Sequence, residues 1–229
     1  MHNNLLPMKK ITYLILFSCI LLLQSCFEII EQLLIKNDGS GNFQVILNLS
    51  KSKTRLNSIS KMKTINGHKV PNREEIVKKV TGIEKTIKNT PGISNVKTSL
   101  DFDNYIGTLT CNFLKVNNLN AAVINIGQNE NNKNKSIEKT YEYDVTGKIF
   151  NRLNKFMLKD EYEKMSNADK EIFANANYTS IFRFNSEVSG TSNKECKLAA
   201  NKKAVMLKLN ALDIITNKKS IENKINLTK

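Results

Sequence analysis

The chain is poor in the residues that most often carry chemistry. It holds two histidines, and one of them is His2 at the extreme amino terminus. The other, His68, stands in Asn66-Gly67-His68-Lys69 with no Cys-x-x-Cys, His-x-x-x-His or Glu-x-x-His spacing around it, so a metal site or a histidine base lacks the partners it needs. His68 is therefore expected as an exposed loop residue, and no metal or cofactor is expected. Carboxylates are plentiful but mostly interleaved with lysine. Asp101 and Asp103 lie two apart at a turn and Asp160 and Glu161 side by side in a helical stretch, without the glycine-spaced acidic loop of a calcium site, so they read as turn and surface groups. Asp38-Gly39-Ser40-Gly41 has the glycines of a phosphate cradle, but it joins two strands rather than a strand and a helix. The chain also lacks a long low-complexity tail, which points to a folded body rather than a disordered stalk.

Arginine is scarce as well. Only Arg55, Arg73, Arg152 and Arg183 stand among the 35 basic residues, and lysine and asparagine dominate. The formal charge of +14 fits attraction to an anionic surface, and it equally fits the composition an AT-rich genome supplies. An export signal at the amino terminus argues against nucleic acid as the partner and keeps a membrane surface in view.

That signal is the most informative stretch. Lys9 and Lys10 precede an apolar run over 11–23, Gln24 closes it, and Glu28 follows shortly after. A spanning helix needs about 20 apolar residues, so the run is too short for a comfortable anchor and has the layout of an export signal. Met8-Lys9-Lys10 is a more conventional start for it than Met1, and either start leaves 1–25 outside the fold. Leu23-Gln24-Ser25-Cys26 resembles the lipobox of bacterial lipoproteins, with an apolar residue three positions before the cysteine and a small one directly before it; Gln24 stands where that family usually has a small residue. The resemblance implies a diacylglycerol on the Cys26 thiol, cleavage just before it, and Cys26 as residue one of the mature chain. Palmitate labelling is then expected at Cys26, and several acyl chains hold far more stably than one. Cys111 and Cys196 remain; export permits a disulfide between them, whereas the apolar surroundings of Cys111 suit an unpaired thiol.

Beyond the signal the pattern reads as pairs of strands with helices between them. Two apolar arms over 27–36 and 43–49 flank Asn37-Asp38-Gly39-Ser40-Gly41 as a hairpin, with Phe43, Val45, Leu47 and Leu49 on one side of the second arm. No tether separates Cys26 from the first strand, so the body is expected close against the bilayer. Helices are predicted over 53–65, capped by Ser50 or Ser52, and over 72–89, where Asn72 caps with Glu75 three residues on. A second hairpin spans 93–102 and 105–116 around Asp103-Asn104, and Asn117 or Asn118 opens a short helix through Ala121, Ala122 and Ile126. After a polar segment over 128–136 come a strand over 138–149, a helix over 149–165, another turn or two over 167–174, a strand over 178–188 with Tyr178, Ser180, Phe182 and Phe184 on one side, a loop at Gly190-Thr191-Ser192-Asn193, strands over 196–198 and 204–209, and a last alternating segment over 220–227. The aromatic stripe of 178–184 reads as a core face. The expected class is α+β with a largely antiparallel sheet. The organisation is 1–25 cleaved signal, 26–127 one α+β domain, 128–136 loop or linker, and 137–229 a second α+β half, either separate or part of the same domain.

The arrangement also resembles the LppM-like class of bacterial lipoproteins, through the lipobox, the opening hairpin, Pro91-Gly92-Ile93 before a strand pair, and Leu209-Asn210-Ala211-Leu212-Asp213 near the end. That resemblance implies an envelope-facing, non-enzymatic domain with a lipid-accommodating groove. The expectation is thus a lipid-anchored envelope protein, facing the periplasm, that binds a protein or lipid at the membrane surface. The alternatives are an envelope hydrolase whose site is assembled from scattered residues, and a surface adhesin or antigen.

Overall fold

The computed structural model describes residues 27–129, 139–153 and 158–228. Cys26 and most of the polar segment 128–136 lie outside the described residues. The protein is α+β, built on a seven-stranded sheet and a four-stranded sheet. The larger sheet draws strands from both sides of the segment 128–136.

Its centre is the opening hairpin. β1 (Glu28–Ile35) and β2 (Gly41–Asn48) pair antiparallel from Glu28 with Asn48 to Ile35 with Gly41, as the alternation predicts. Gly41 is required where the strands close: a Cβ there would lie 1.9 Å from the Leu34 carbonyl oxygen and 2.7 Å from the Phe113 ring. A 3-10 turn (Ser50–Ser52) leads into α1 (Lys53–Ile59), which stops six residues short of the predicted end. The serines do not cap it, and Ser58 and Ser60 turn their hydroxyls back onto the Thr54 and Asn57 carbonyls. The residues beyond make a small hairpin of β3 (Thr64–Ile65) and β4 (His68–Lys69), because Asn66 and Gly67 take φ of 50° and 80° and so form a tight two-residue turn. α2 (Arg73–Lys88) carries the full capping box: Asn72 Oδ1 accepts from the Glu75 amide, and the Glu75 carboxylate accepts from the Asn72 amide.

β5 (Ile93–Asp101) and β6 (Ile106–Phe113) form the second predicted hairpin at the edge of the large sheet, and α3 (Val116–Asn129) follows. Asn118 does not cap that helix; its amide oxygen accepts from Lys115 and its nitrogen donates to the Pro91 carbonyl, pinning the helix to the turn before β5. α2 and α3 cover one half of the large sheet, where Ile87, Leu119 and Ala122 join Leu33, Cys111 and Phe113 in the main core.

The other half of that face is covered by the small sheet. β7 (Tyr141–Asp144) and β8 (Ile149–Arg152) form a hairpin where a single strand and then a helix are predicted. Asp144 accepts from the Thr146 and Gly147 amides and Lys148 takes a φ of 55°, so the chain reverses before Ile149 and the next four residues pair instead of coiling. Phe150 then reaches Phe182 and Phe184 edge-on at 5.1 and 5.7 Å. Short helices α4 (Lys159–Glu163) and α5 (Asn167–Lys170) and a 3-10 turn (Glu171–Phe173) precede β9 (Asn177–Phe184), which pairs parallel with β1 and is the one parallel neighbour in the sheet. The predicted loop at Gly190-Thr191 belongs to β10 (Val188–Thr191), which pairs with a bulge against the last strand, β13 (Asn223–Leu227); the loop itself begins at Ser192. β11 (Lys197–Leu198), β12 (Ala204–Asn210) and an unforeseen helix α6 (Ala211–Ile215) capped by Asn210 complete the fold, and the strand orders are β11-β12-β9-β1-β2-β6-β5 in the large sheet and β10-β13-β8-β7 in the small one.

Candidate functional site

Where the two sheets meet, four side chains from four strands converge. Along β1 the odd positions face the core, and the second of them is a glutamate: Glu31 sits beside the fully covered Leu33 and Ile35. Across the interface β8 delivers Arg152, which is 2% exposed. Arg152 Nε donates to Glu31 Oε1 at 3.1 Å and Nη2 donates to Oε2 at 3.2 Å, a two-pronged pair, while Nη1 donates to the Leu153 carbonyl. Tyr178 of β9 donates its hydroxyl to Glu31 Oε2 at 2.7 Å, and the Tyr141 ring of β7 lies 5.1 Å beneath the guanidinium.

The electrostatics follow from burial. Burial works against the charge on Arg152, but the Glu31 carboxylate together with Tyr178 and Tyr141 outweighs it and drives the guanidinium pKa upward. Burial raises Tyr178 and Tyr141 well above the ordinary phenol value, and the negative Glu31 adds to both. Neither phenol is poised to exchange a proton near neutrality, and the two-pronged pair holds the strands together, so the arrangement suits a clamp between sheets.

Arg152 also forms the inner wall of a polar groove of about 500 Å³ at the end of the small sheet. The groove is bounded by the loop after β10 and the segment from α6 into β13. Asparagines stitch these two together: Asn193 donates to the Ser220 and Glu222 carbonyls, and Asn223 Oδ1 accepts from the Asn193 amide. Lys194, Lys218, Lys219 and Lys224 stand around it against Glu195 and Glu222, with Lys219 paired to Glu195 at 3.2 Å.

The residues singled out from sequence fall elsewhere. Cys26 lies outside the described residues. His68 is exposed as expected, but it opens strand β4 rather than sitting in a loop, and it has a carboxylate: Nε2 stands 3.4 Å from Asp169 Oδ2, while Asn66 donates to Oδ1 at 3.2 Å and Ser166 donates to Oδ2 at 2.7 Å. These contacts tie the small hairpin to α5 across about 100 residues of sequence, a pairing that spacing alone does not reveal. Asp101 accepts from Asp103 and Asn104 amides and closes its own turn. Asp38 does the same with the Ser40 amide and hydroxyl, so the Asp38-Gly39-Ser40-Gly41 stretch serves the hairpin. Tyr178, Phe182 and Phe184 are core residues, with Tyr178 doubling as a member of the clamp. Cys111 and Cys196 are both free, and burial pushes each thiol up to about 11. Among the described residues no group of three or more His, Cys, Asp or Glu is placed to hold a metal ion.

The start of the fold is the second place of interest. Phe27 accepts at its carbonyl from the Asn177 amide at 2.9 Å, and its ring meets Phe173 edge-on at 6.0 Å; Phe173 meets Tyr162 in the same way at 6.0 Å. The chain is therefore fixed from Phe27 onward and enters the middle strand of the large sheet at Glu28. No helix among the described residues is long and apolar enough to cross a membrane.

No family model matches the chain, and no curated protein matches it. Among solved structures it is similar to the NMR structure of the folded domain of LppM from Mycobacterium tuberculosis, with a TM-score of 0.44 and 13% identity over 90% of this chain and 93% of that one.

Proposed function

We propose that the chain is a lipid-anchored protein of the bacterial cell envelope, facing the periplasm, whose α+β body is a non-enzymatic binding domain held against the membrane. The observation that carries this reading is the junction at Phe27: the residue after the lipobox cysteine is already hydrogen-bonded to Asn177 and packed on Phe173, and the central strand starts one residue later. A body so joined to an acylated Cys26 has no tether on which to move away from the bilayer. A binding rather than catalytic role is supported by the clamp, whose ionisable groups are locked in one another, and by two thiols held largely protonated near neutrality. The partner, a lipid or an envelope protein, is assigned to the polar groove beside Arg152, whose lysines favour an acidic group.

The anchor is tested by radiolabelled palmitate: Cys26→Ala abolishes incorporation, and label that persists overturns the assignment. The groove is tested by native mass spectrometry of the chain from Phe27 purified from bacterial cells. A phospholipid-sized added mass that disappears in Lys224→Glu supports the reading. An added mass indifferent to that change moves the site elsewhere.

A further inference from the structure

The large sheet is unevenly covered, and the gap lies at its anchor end. Phe27, Ile29, Glu31, Leu33 and Ile35 share one side of β1, and their cover fails toward the amino terminus: Leu33 and Ile35 are 0% and 1% exposed, Glu31 6%, and Ile29 36%. The cross-strand partner of Ile29 is Leu47, which is 42% exposed on the same side. Next to them the rings of Phe27, Phe173 and Tyr162 form a chain of edge-on contacts. Two more exposed aliphatics flank the rings, Ile172 beside Phe173 and Leu158 one helical turn before Tyr162. Lys170 holds its ammonium 5.6 Å over the Tyr162 ring and donates to the Glu163 carbonyl. The carboxylate at this end of β1, Glu28, points to the opposite side, where Thr179 and Lys208 engage it.

We infer that this aromatic and aliphatic rim, Phe27, Ile29, Leu47, Tyr162 and Phe173, is a second membrane contact that lies in the interfacial layer of the bilayer beside the acyl chains. The inference rests on the lipid-anchor reading above. One residue advances the chain by at most 3.8 Å, so an acylated Cys26 fixes Phe27 at the bilayer surface, and the packing of Phe27 on Phe173 turns this end of the sheet toward the lipid. Tyrosine with an apolar ring and a polar tip, under a lysine, is the side-chain chemistry that favours that layer. The contact is apolar in character, so it holds on neutral as well as anionic lipid and survives high salt.

The chain has no tryptophan, which makes a single introduced one a clean reporter. Leu47→Trp and, as a control, Leu114→Trp are made in the full chain, and the acylated protein is reconstituted into phosphatidylcholine vesicles with brominated acyl chains. Leu114 is 67% exposed just past β6, at the far end of the sheet and roughly 23 Å from the anchor end at 3.3 Å per residue. The expected result is a blue-shifted Leu47→Trp emission, quenched at least about twofold more than Leu114→Trp and unchanged by salt. Equal quenching of the two, in protein that carries palmitate, overturns the rim while leaving the anchor intact; absence of palmitate overturns the anchor reading instead. A blue shift that the chain from Phe27 shows in detergent-free buffer, growing with protein concentration, assigns the rim to a second copy of the chain and also overturns the proposal. Ile29→Trp is the second reporter where Leu47→Trp does not fold.

Discussion

Replacing Arg152 by methionine tests whether the clamp between the sheets is an integral part of the fold. The change removes the guanidinium from a carboxylate that is 6% exposed and leaves the Tyr178 hydroxyl on it. Breaking a buried pair from one side leaves an uncompensated charge and costs about 3–5 kcal/mol. With a urea dependence of about 2 kcal/mol per molar, the unfolding midpoint falls by about 2 M. Glu31→Leu combined with Arg152→Met removes both charges together, and the expected loss shrinks to about 1 kcal/mol or less, because an apolar pair of similar volume replaces a costly ion pair. Tyr178→Phe costs about 1.5–3 kcal/mol in the parent chain and little in the double variant, since its acceptor is gone. Urea unfolding followed by circular dichroism on the chain from Phe27 measures all of these. A single Arg152→Met loss under about 1 kcal/mol, or a double variant as damaged as the two singles added together, refutes the reasoning.

Three further outcomes are expected. Asn120 is buried and imitates a strand, accepting from the Thr140 and Tyr141 amides and donating to the Tyr141 carbonyl, so Asn120→Leu leaves three backbone groups unpaired and costs about 3 kcal/mol or more in the same urea assay; a loss below about 1 kcal/mol contradicts this. Glu28 is held below the ordinary value of 4.5 because the Thr179 and Lys208 contacts prevail over its burial, so its contribution is present above that pH and is lost as pH falls through the lowered value; Thr179→Val flattens the acid limb of the stability curve, and an unchanged limb counts against the contact. Cys111, buried with its thiol pushed up to about 11, reacts with a disulfide reagent at pH 8 only as the fold opens, more slowly than the half-buried Cys196, and rapid native labelling of Cys111 shows that the burial is wrong.

The hairpins were legible because two independent signals agreed: alternation fixes the strand, and clusters such as Asn37-Asp38-Gly39-Ser40 fix the turn. The capping box at Asn72 and Glu75 is likewise a local rule obeyed locally. The segment after Val145 misleads because helical spacing of apolar residues past Ile149 competes with a turn set by Asp144 and a left-handed Lys148, and partners on β13 decide the outcome. The clamp is invisible to any window, since Glu31 and Tyr178 are 147 residues apart. Two faint traces of it exist. Glu31 interrupts the inward side of an otherwise apolar strand, and Arg152 is one of only four arginines in a chain dominated by lysine, as a two-pronged carboxylate partner requires. The groove leaves no trace, because asparagines and lysines are common throughout.

The parallel pairing of β1 with β9 sets a timetable for the nascent chain. The first strand to emerge is the one in the middle of the sheet, and its open edge waits for a partner that arrives more than a hundred residues later. Until then a row of unpaired amides and the inward aliphatics Leu33 and Ile35 stand exposed beside the most apolar stretch of the sequence. Long-range closure of this kind is slow. Until β9 is made, that open edge is a site for mispairing with another copy of the chain.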